Sequence, residues 1–330
     1  MDKLLTVVVP VYKVEKYINK CLDSLIVPDE LMEQLEVIVV NDGTPDQSAE
    51  MAREYEKKYP QTFRVIDKEN GGHGSAWNRG LKEATGKYLR FLDSDDWFVN
   101  ENFASHIHLL KLIDVDIVFS NSATWLENTQ KLTTPPHELR KVPDNCMVNA
   151  NEYQWNIEEV GMNFSNFHYC TYRTSLLQPC YPLFLEKQFY DDAILFIVPI
   201  LLATTIYNWK ETVYIYRLGR EGQTMEKETM LKRYRDFEHV IRSQISFIKS
   251  HPVVSESKNR IVDQIMNVMI AKQWERLSFL QYKDSQGELT QFKDYLNIEY
   301  PNYRKSKKMK LYGFLPFPLY WHVVNKIMKE

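Results

Sequence analysis

The stretch Tyr88-Leu89-Arg90-Phe91-Leu92-Asp93-Ser94-Asp95-Asp96-Trp97 joins a short apolar run to three carboxylates within four residues. The run reads as a buried strand, so the acids fall at its C-terminal end, where open α/β sheets place their ligand crevices. Crowded carboxylates repel one another, and a hard divalent cation with the phosphates it carries relieves that repulsion. An acidic turn that merely caps the next helix is the other reading of the same residues.

The flanking chain repeats the pattern of strand, then turn or acid. Leu4 to Val9 is an apolar, β-branched run that stops at Pro10, the signature of a parallel strand covered on both faces. Val14, Ile18, Cys21, Leu22 and Leu25 follow at helical spacing, which makes Cys21 a core residue. Leu35 to Val40 is a second buried strand ending in Asn41-Asp42-Gly43, and Phe63 to Ile66 a third ending at Asp67, with a helix between them that Asp46 can cap. Asn70-Gly71-Gly72-His73-Gly74 then leads into a helix to about Ala84; its glycines permit close backbone approach to a ligand, and a helix N-terminus there can face a phosphate. The loop is neither a Walker A sequence nor GxGxxG. Four βα alternations in about 100 residues predict an α/β fold with a doubly wound, mainly parallel sheet.

Five segments in order carry a family resemblance: Val9-Pro10-Val11-Tyr12, Val39-Val40-Asn41-Asp42-Gly43-Thr44, Asn70-Gly71-Gly72, Asn78-Arg79-Gly80 and Phe91-Leu92-Asp93-Ser94-Asp95-Asp96-Trp97. Together they resemble the inverting family 2 glycosyltransferases of the GT-A fold, of the type that builds bacterial surface polysaccharides. The resemblance implies transfer of a sugar from a nucleotide diphosphate, usually UDP, to an acceptor hydroxyl. It implies that Pro10, Tyr12 and Asp42 line the nucleotide pocket, with Asp67, Asn70, Gly71 and Gly72 near it. Asp93, with Ser94 beside it, lies near the ribose, and Asp95 is the principal ligand of Mn²⁺ or Mg²⁺ with Asp96 close by. One departure is Trp77, which stands where the family often has Arg; Arg79 or Arg90 could supply the missing cation.

Phe189-Tyr190-Asp191-Asp192-Ala193-Ile194-Leu195-Phe196 sets two acids at the start of an apolar helix. Taken alone the pair reads as a helix cap favoured by the dipole. Beside the resemblance it is similar to the Glu-Asp-x-x-Phe signature that supplies the general base, with Asp192 the first candidate and Asp191 the second. Displacement at the anomeric carbon needs a carboxylate to take the acceptor's proton as the hydroxyl attacks. After a strand-like stretch near Thr205 to Trp209, Val213-Tyr214-Ile215-Tyr216-Arg217 alternates as a half-buried strand, and Arg217 and Arg220 are candidate contacts for the leaving diphosphate, since a guanidinium fork matches phosphate oxygens. A surface ion pair with Glu221 is the alternative for Arg220. The absence of Gln-x-x-Arg-Trp favours single addition over processive synthesis.

The remaining sequence is less specific. Glu101 to Ile113 reads as a helix, Val115 to Ser120 as a strand, and the polar, proline-containing segment from Asn121 to Asn149 as a hairpin or acceptor-side loop. Phe167 to Tyr172 reads as a strand, on which His168 is expected to be a buried, hydrogen-bonded core residue. Helical segments follow over 227–249, 254–280 and 288–296, broken at Pro252 and near Asp284 to Gly287. The expected organisation is a catalytic domain over 1–225, its nucleotide-sugar half over about 1–100 and its acceptor half over about 101–225, followed by a helical C-terminal appendage over 226–330.

Residues 303–330 hold seven Lys or Arg, one acid and six aromatics, a composition suited to an anionic membrane surface, and the family resemblance implies a glycan or lipid-linked glycan acceptor. A net charge of −3 gives no reason to expect nucleic acid, and no apolar run reads as a signal peptide or membrane span. Four scattered cysteines without a CxxC pair argue against a zinc site or a disulfide framework and for a cytoplasmic setting, and the 303–330 segment adds the expectation of peripheral contact with the membrane's inner face. Two other function classes remain at this stage. A sugar-phosphate nucleotidyltransferase would carry a Gly-rich basic loop after the first strand, which Pro10 to Val14 does not provide. A catalytically silent glycan-binding scaffold would keep the acids for structure alone.

Overall fold

The structure is a computed structural model that describes residues 3–134, 142–157, 166–220 and 227–305. The chain divides into two compact units, Met1–Tyr153 with Glu158–Glu221, and Gln154–Ile157 with Gly222–Glu330.

The first unit is built on a mixed ten-stranded sheet with the central order β3-β2-β1-β4-β9-β6-β10-β5. Strand β1 (Leu5–Val11) is buried along its whole length because it lies between β2 (Leu35–Asn41) and β4 (Tyr88–Phe91), parallel to both. That position explains its unbroken apolar sequence. Strand β3 (Phe63–Asp67) extends the parallel array, with α1 (Ile18–Asp23), α2 (Asp29–Met32), α3 (Ser48–Lys58) and α4 (His73–Glu83) in the connections. Val11 pairs with Asn41, and Asn41 with Asp67, so these three strands end level with one another. Leu92 extends the β4 ladder by donating to the Val8 carbonyl at 3.0 Å, which brings the next residue, Asp93, to the same edge.

The parallel arrangement expected from the sequence holds for β3-β2-β1-β4; beyond β4 the pairing changes sense. Strand β9 (Cys170–Arg173) runs antiparallel to both β4 and β6 (Ile117–Leu126). Strand β10 (Thr205–Leu218) is parallel to β6 and antiparallel to the two-residue β5 (Trp97–Phe98). Its register shifts between Asn208 and Thr212 and again between Thr212 and Tyr214, a bulge that explains why its sequence reads as two strands. The polar segment after β6 forms a hairpin with β7 (Lys131–Thr133), and β8 (Cys146–Asn149) pairs with β10. Helix α5 (Asn100–Leu112) connects β5 to β6.

Two residues of α4 set how closely it packs on the sheet. A Cβ at Gly80 would stand 2.2 Å from a methyl of Val8, so the third residue of Asn78-Arg79-Gly80 has to be glycine for the helix to lie this near β1. Trp77 is fully buried, with ring centroids 4.5 Å from Phe91, 4.7 Å from Phe167 and 5.0 Å from Phe184. It is the centre of an aromatic cluster beneath the edge where the carboxylates gather.

The second unit is helical, with helices Lys227–Lys232, Tyr234–Ser250, Glu256–Ser278 and Tyr282–Glu299 and a closing 3₁₀ turn at Pro301–Lys305. Ile261, Ile265, Met269 and Ile270 are buried along its longest helix, and Trp155 joins the unit by donating its amide to Ser257 Oγ at 2.9 Å. The break expected at Pro252 is present. That near Asp284 to Gly287 is not: the helix begins at Tyr282 and runs through Gly287, which a Cβ would leave in open space, at a cost of about 1 kcal/mol relative to Ala. No helix among the described residues is long and apolar enough to cross a membrane. All but the first three residues of the basic-aromatic segment 303–330 lie outside the described residues.

Candidate active site

Asp42, just beyond β2, is 3% exposed and organises the glycine loop. Its Oδ1 accepts from the Gly71 amide at 2.9 Å and from Lys68 Nζ at 2.6 Å, its Oδ2 from the Gly72 amide at 2.8 Å, and its carbonyl from Asn70 Nδ2 at 2.9 Å. Charged partners make these strong bonds, so one carboxylate fixes the loop's path from Asn70 to the start of α4. Tyr12, just past the neighbouring strand end, is 43% exposed. Asp67 lies at the adjacent tip, exposed, held by Arg53 and by Asn41 Nδ2 at 2.8 Å. The Arg53 and Asn41 bonds keep its pKa below the ordinary value.

His73, the first residue of α4, spans two acidic segments. Its Nδ1 is 2.9 Å from Asp191 Oδ2 and its Nε2 is 3.0 Å from Asp93 Oδ1, while its ring rests on Trp77 one turn further along, with centroids 4.2 Å apart. A positive charge is disfavoured both by burial and by the N-terminal end of a helix. Burial does oppose the charge here, but Asp191 and then Asp93 outweigh it and raise the His73 pKa well above normal, so the ring is an imidazolium at neutral pH. This is the cation in the quarter where Trp77 replaces the family's arginine. Neither sequence candidate has that place: Arg79 pairs with Glu83 on the helix surface, and Arg90 is fully buried, donating to Thr171 Oγ1 at 2.9 Å, Ser120 Oγ at 3.1 Å and the His168 carbonyl at 3.2 Å.

The turn Asp93 to Asp96 closes with the Asp96 amide on the Asp93 carbonyl at 3.0 Å. The bulged strand β10 then brings three partners to it. Tyr214 donates its hydroxyl to Asp96 Oδ2 at 2.5 Å and accepts from the Asp93 amide at 3.3 Å. Arg217 donates its amide to Asp96 Oδ1 at 2.7 Å, its Nε to the Asp95 carbonyl at 2.9 Å and a terminal nitrogen to Glu127 at 2.7 Å. Arg220 pairs with the Asp95 carboxylate, not with the Glu221 that its sequence neighbourhood suggested. Burial works against the charge of Asp93, but the His73 bond and charge hold its pKa below the ordinary value. Burial and the charge of Asp93 raise Asp95, although Arg220 opposes this; burial, Asp95 and Asp93 raise Asp96 well above normal. A cluster that resists its own ionisation in this way has the chemistry of a cation site.

His168 completes the cluster, in the turn before β9 rather than on a strand. Its ring packs on Phe167, Tyr214 and Tyr216, and a ring nitrogen lies within 4.8 Å of carboxylate oxygens of both Asp93 and Asp96. The expected hydrogen-bonded core histidine is not what forms: its buried Nε2 has no hydrogen-bond partner among the described residues. Burial pushes its pKa down to about 4, so the ring is neutral.

Asp191 and Asp192 begin a 3₁₀ segment, Asp191–Phe196, rather than an α-helix. Asn78 grips the chain before it: its Oδ1 accepts from the amides of Leu183 and Phe184, each at 2.9 Å, and its Nδ2 donates to the Phe184 carbonyl at 2.8 Å. The Lys187 amide donates to the Gly71 carbonyl at 2.8 Å. Tyr190, immediately before the acids, has φ = 64°, a left-handed conformation that costs an aromatic residue energy and is typical of constrained functional segments. Asp191 is 4% exposed and tied to His73. No other described side chain bonds to the Asp192 carboxylate, and burial, then Asp191, push its pKa up to about 7 against the opposing charge of His73.

The fold thus assembles Asp93, Asp95, Asp96, Asp191, Arg217 and Arg220 around one edge, with Asp42, Asn70, Gly71 and Gly72 in the loop leading to it. Asp67 stands apart with Arg53. Sequence reading missed His73 and Tyr214 as site residues. The only available signal for His73 was its place at the end of the glycine loop, one helical turn before the anomalous Trp77.

The wider comparisons agree with this architecture. Structures of S. aureus TarS 1-349 superpose with a TM-score of 0.64 for the UDP-GlcNAc complex, at 21% identity over 85% of this chain and 82% of that one. The mannosyltransferase PcManGT of Pyrobaculum calidifontis, in complex with GDP-Man and Mn²⁺, gives a TM-score of 0.51 at 16% identity over 100% and 89% of the two chains. The fold is therefore that of the GT-A proteins. The profile of the family described as Glycosyl transferase family 2 matches residues 6–179, more than half of the chain, and the protein belongs to that family. Bacillus subtilis EpsJ, described as an uncharacterized glycosyltransferase, is 31% identical over 66% of this chain, and Streptococcus pneumoniae GlyA, a glycosyltransferase, is 36% identical over 47%. These alignments span 62% and 22% of the two relatives' lengths.

Proposed function

We propose that the protein is an inverting glycosyltransferase that moves one sugar from a nucleotide-diphosphate sugar, a UDP-sugar by the family's habit, to an acceptor hydroxyl on a growing surface glycan. The observation that carries this reading is the pair of bonds by which His73 holds the Asp93 turn and the Asp191 segment together, because the reaction needs a donor-binding carboxylate cluster and a base on opposite sides of one anomeric carbon. UDP-GlcNAc in the TarS complex supports the donor class, and the name of a Bacillus subtilis relative, a minor teichoic acid biosynthesis protein, supports a cell-wall or capsule acceptor.

Tyr12 offers an exposed ring for the base to stack on, and the Asp42-held loop presents the backbone of Asn70 to Gly72 beside it. Asp93 and Ser94 face the ribose. Asp95 and Asp96 would hold a divalent cation, Mn²⁺ or Mg²⁺, whose charge would neutralise the leaving diphosphate. Arg217 and Arg220 stand where they can trade carboxylate partners for phosphate oxygens. The acceptor oxygen attacks the anomeric carbon opposite the diphosphate; the carbon–oxygen bond to the diphosphate breaks with its electron pair leaving on the nucleotide; the hydroxyl proton passes to Asp192. A carboxylate with a pKa near 7 is matched to that task, and Asp191, engaged by His73, positions its neighbour. His73 takes over the charge that Trp77 lacks.

Thermal-shift titration tests the reading. UDP with Mn²⁺ should stabilise the wild type more than UDP alone, and Asp95→Ala should lose the metal-dependent part. No metal-dependent stabilisation in the wild type would sink it, and release of free sugar from a panel of UDP-, GDP- and TDP-sugars would fix the donor.

A further inference from the structure

We propose that His168 is a direct protein ligand of the divalent cation, forming with Asp93 and Asp96 a mixed nitrogen–oxygen site that favours Mn²⁺ over Mg²⁺. The proposal rests on the metal-dependent reading above and adds a ligand from the turn before β9, the strand next to β4, about 70 residues beyond the acidic turn.

Three observations meet at one point. Donor atoms of Asp93, Asp96 and His168 all lie within 4.8 Å of one another. Oxygen and nitrogen ligands at about 2.1 Å from one ion stand roughly 3 to 4 Å apart, so the donor atoms have to draw together by at most about 1–2 Å. His168 Nε2 is buried with no hydrogen-bond partner among the described residues, in a molecule where a buried polar atom left unpaired costs about 1–3 kcal/mol. A cation supplies the missing partner, and the neutral imidazole is the form that binds one.

The carboxylates have capacity left. Asp96 accepts one hydrogen bond on each oxygen, from Tyr214 and from the Arg217 amide, and each oxygen keeps a further lone pair. No described residue donates to Asp93 Oδ2, its other oxygen being held by His73. These outer partners orient the two carboxylates as hydrogen bonds around a metal ligand do. His168 is itself fixed by the rings of Phe167, Tyr214 and Tyr216. Asp95, whose carboxylate pairs with Arg220, adds a further oxygen to the ion once that guanidinium turns to the diphosphate. A nitrogen donor among oxygens matters for selectivity: Mg²⁺ is a hard ion that takes oxygen ligands in near-ideal octahedral geometry, whereas Mn²⁺, which opens the transition-metal series, accepts an imidazole nitrogen more readily than Mg²⁺ does.

The test reads metal coordination, not turnover. Full-length protein with UDP is loaded with Mn²⁺ and examined by electron spin echo envelope modulation, which reports nitrogen bonded directly to the ion, and free Mn²⁺ is followed by its electron paramagnetic resonance signal. The wild type should show directly bound nitrogen. His168→Gln should abolish that signal and weaken Mn²⁺ at least about 10-fold, the least that losing even an outer partner of a metal ligand costs; Mg²⁺ should then displace Mn²⁺ at a lower ratio. His73→Gln should keep the signal, which excludes the neighbouring histidine as its source. Mn²⁺ bound without direct nitrogen in the wild type, or nitrogen persisting in His168→Gln, overturns the assignment while leaving the proposed function intact. Failure of the wild type to bind Mn²⁺ in the presence of UDP overturns both. The wild-type spectrum decides the matter even where the variant is too unstable to load.

Discussion

Replacing His73 with Gln should destabilise the protein by an amount that depends on pH. The substitution removes an imidazolium with two charge-assisted hydrogen bonds and leaves Asp191, whose side chain is only 5% exposed, without its partner. Bonds to charged groups contribute about 1.5–3 kcal/mol each. Because the His73 ring is 35% exposed, screening by water argues for the low end, about 3 kcal/mol for the pair. The folded-state pKa is raised, so this stability is fully present below the unfolded histidine's pKa of about 6.5 and is lost as pH rises through the higher folded value. Urea unfolding at pH 6 should therefore show a midpoint roughly 1 M below wild type, for a slope of about 3 kcal/mol/M, and the gap should narrow at alkaline pH. The same variant removes the charge that opposes the rise in the Asp192 pKa, so the acid limb of its pH–rate profile should move to higher pH. An equal loss of stability at acid and alkaline pH would refute the reasoning, since it would make His73 a neutral packing residue.

Other substitutions probe the surrounding frame. Asp192→Asn should keep UDP binding, measured by calorimetry, and lose transfer; in the wild type, transfer should rise with pH through about 7 as Asp192 gives up its proton. Near-normal transfer by that variant would move the base to Asp191. Gly74→Ala places a Cβ 2.3 Å from the Leu185 carbonyl and 2.9 Å from Asp191 Oδ2, so it should cost about 1–3 kcal/mol in thermal unfolding and reduce transfer disproportionately. Asn78→Ala strips the acceptor from two buried amides, those of Leu183 and Phe184, and should lower stability by about 2–4 kcal/mol; an unchanged melting temperature would show that water replaces the clamp without loss.

The parallel half of the sheet was readable because its chemistry is local. A strand buried on both faces must be apolar throughout, and Leu5–Val11 and Leu35–Asn41 are. The acids at the strand tips were likewise visible as residue types next to turn signals. What could not be read was pairing at a distance. Nothing in Cys170–Arg173 announces that it inserts antiparallel between β4 and β6, and nothing near Tyr214 tells which carboxylate its hydroxyl meets. The bulge in β10 breaks a single strand into two apparent ones because alternation is lost over the residues that leave the ladder. His73 was obscured by its glycines, which suggest phosphate, and His168 by its apolar neighbours, which suggest core. Both errors have one source: a histidine's role is set by what faces its two nitrogens, and here those partners come from segments about 20 to 120 residues away.

Helix α4 has a consequence for how such a protein can diversify. Its first residue touches both acidic segments, and its sixth grips the chain leading into the second, so one short rigid element sets the separation of the two sides. Among the described residues, the polar segment after β6 and the surfaces beyond Phe196 take no part in that fixture. On the reading proposed above, sequence drift there reshapes the bed for a glycan while the gauge between leaving group and proton acceptor stays constant. New acceptors are then reached by changing the bed alone, and the residues least free to vary are those of the gauge: Gly74, Asn78, Gly80 and the histidine that opens the helix.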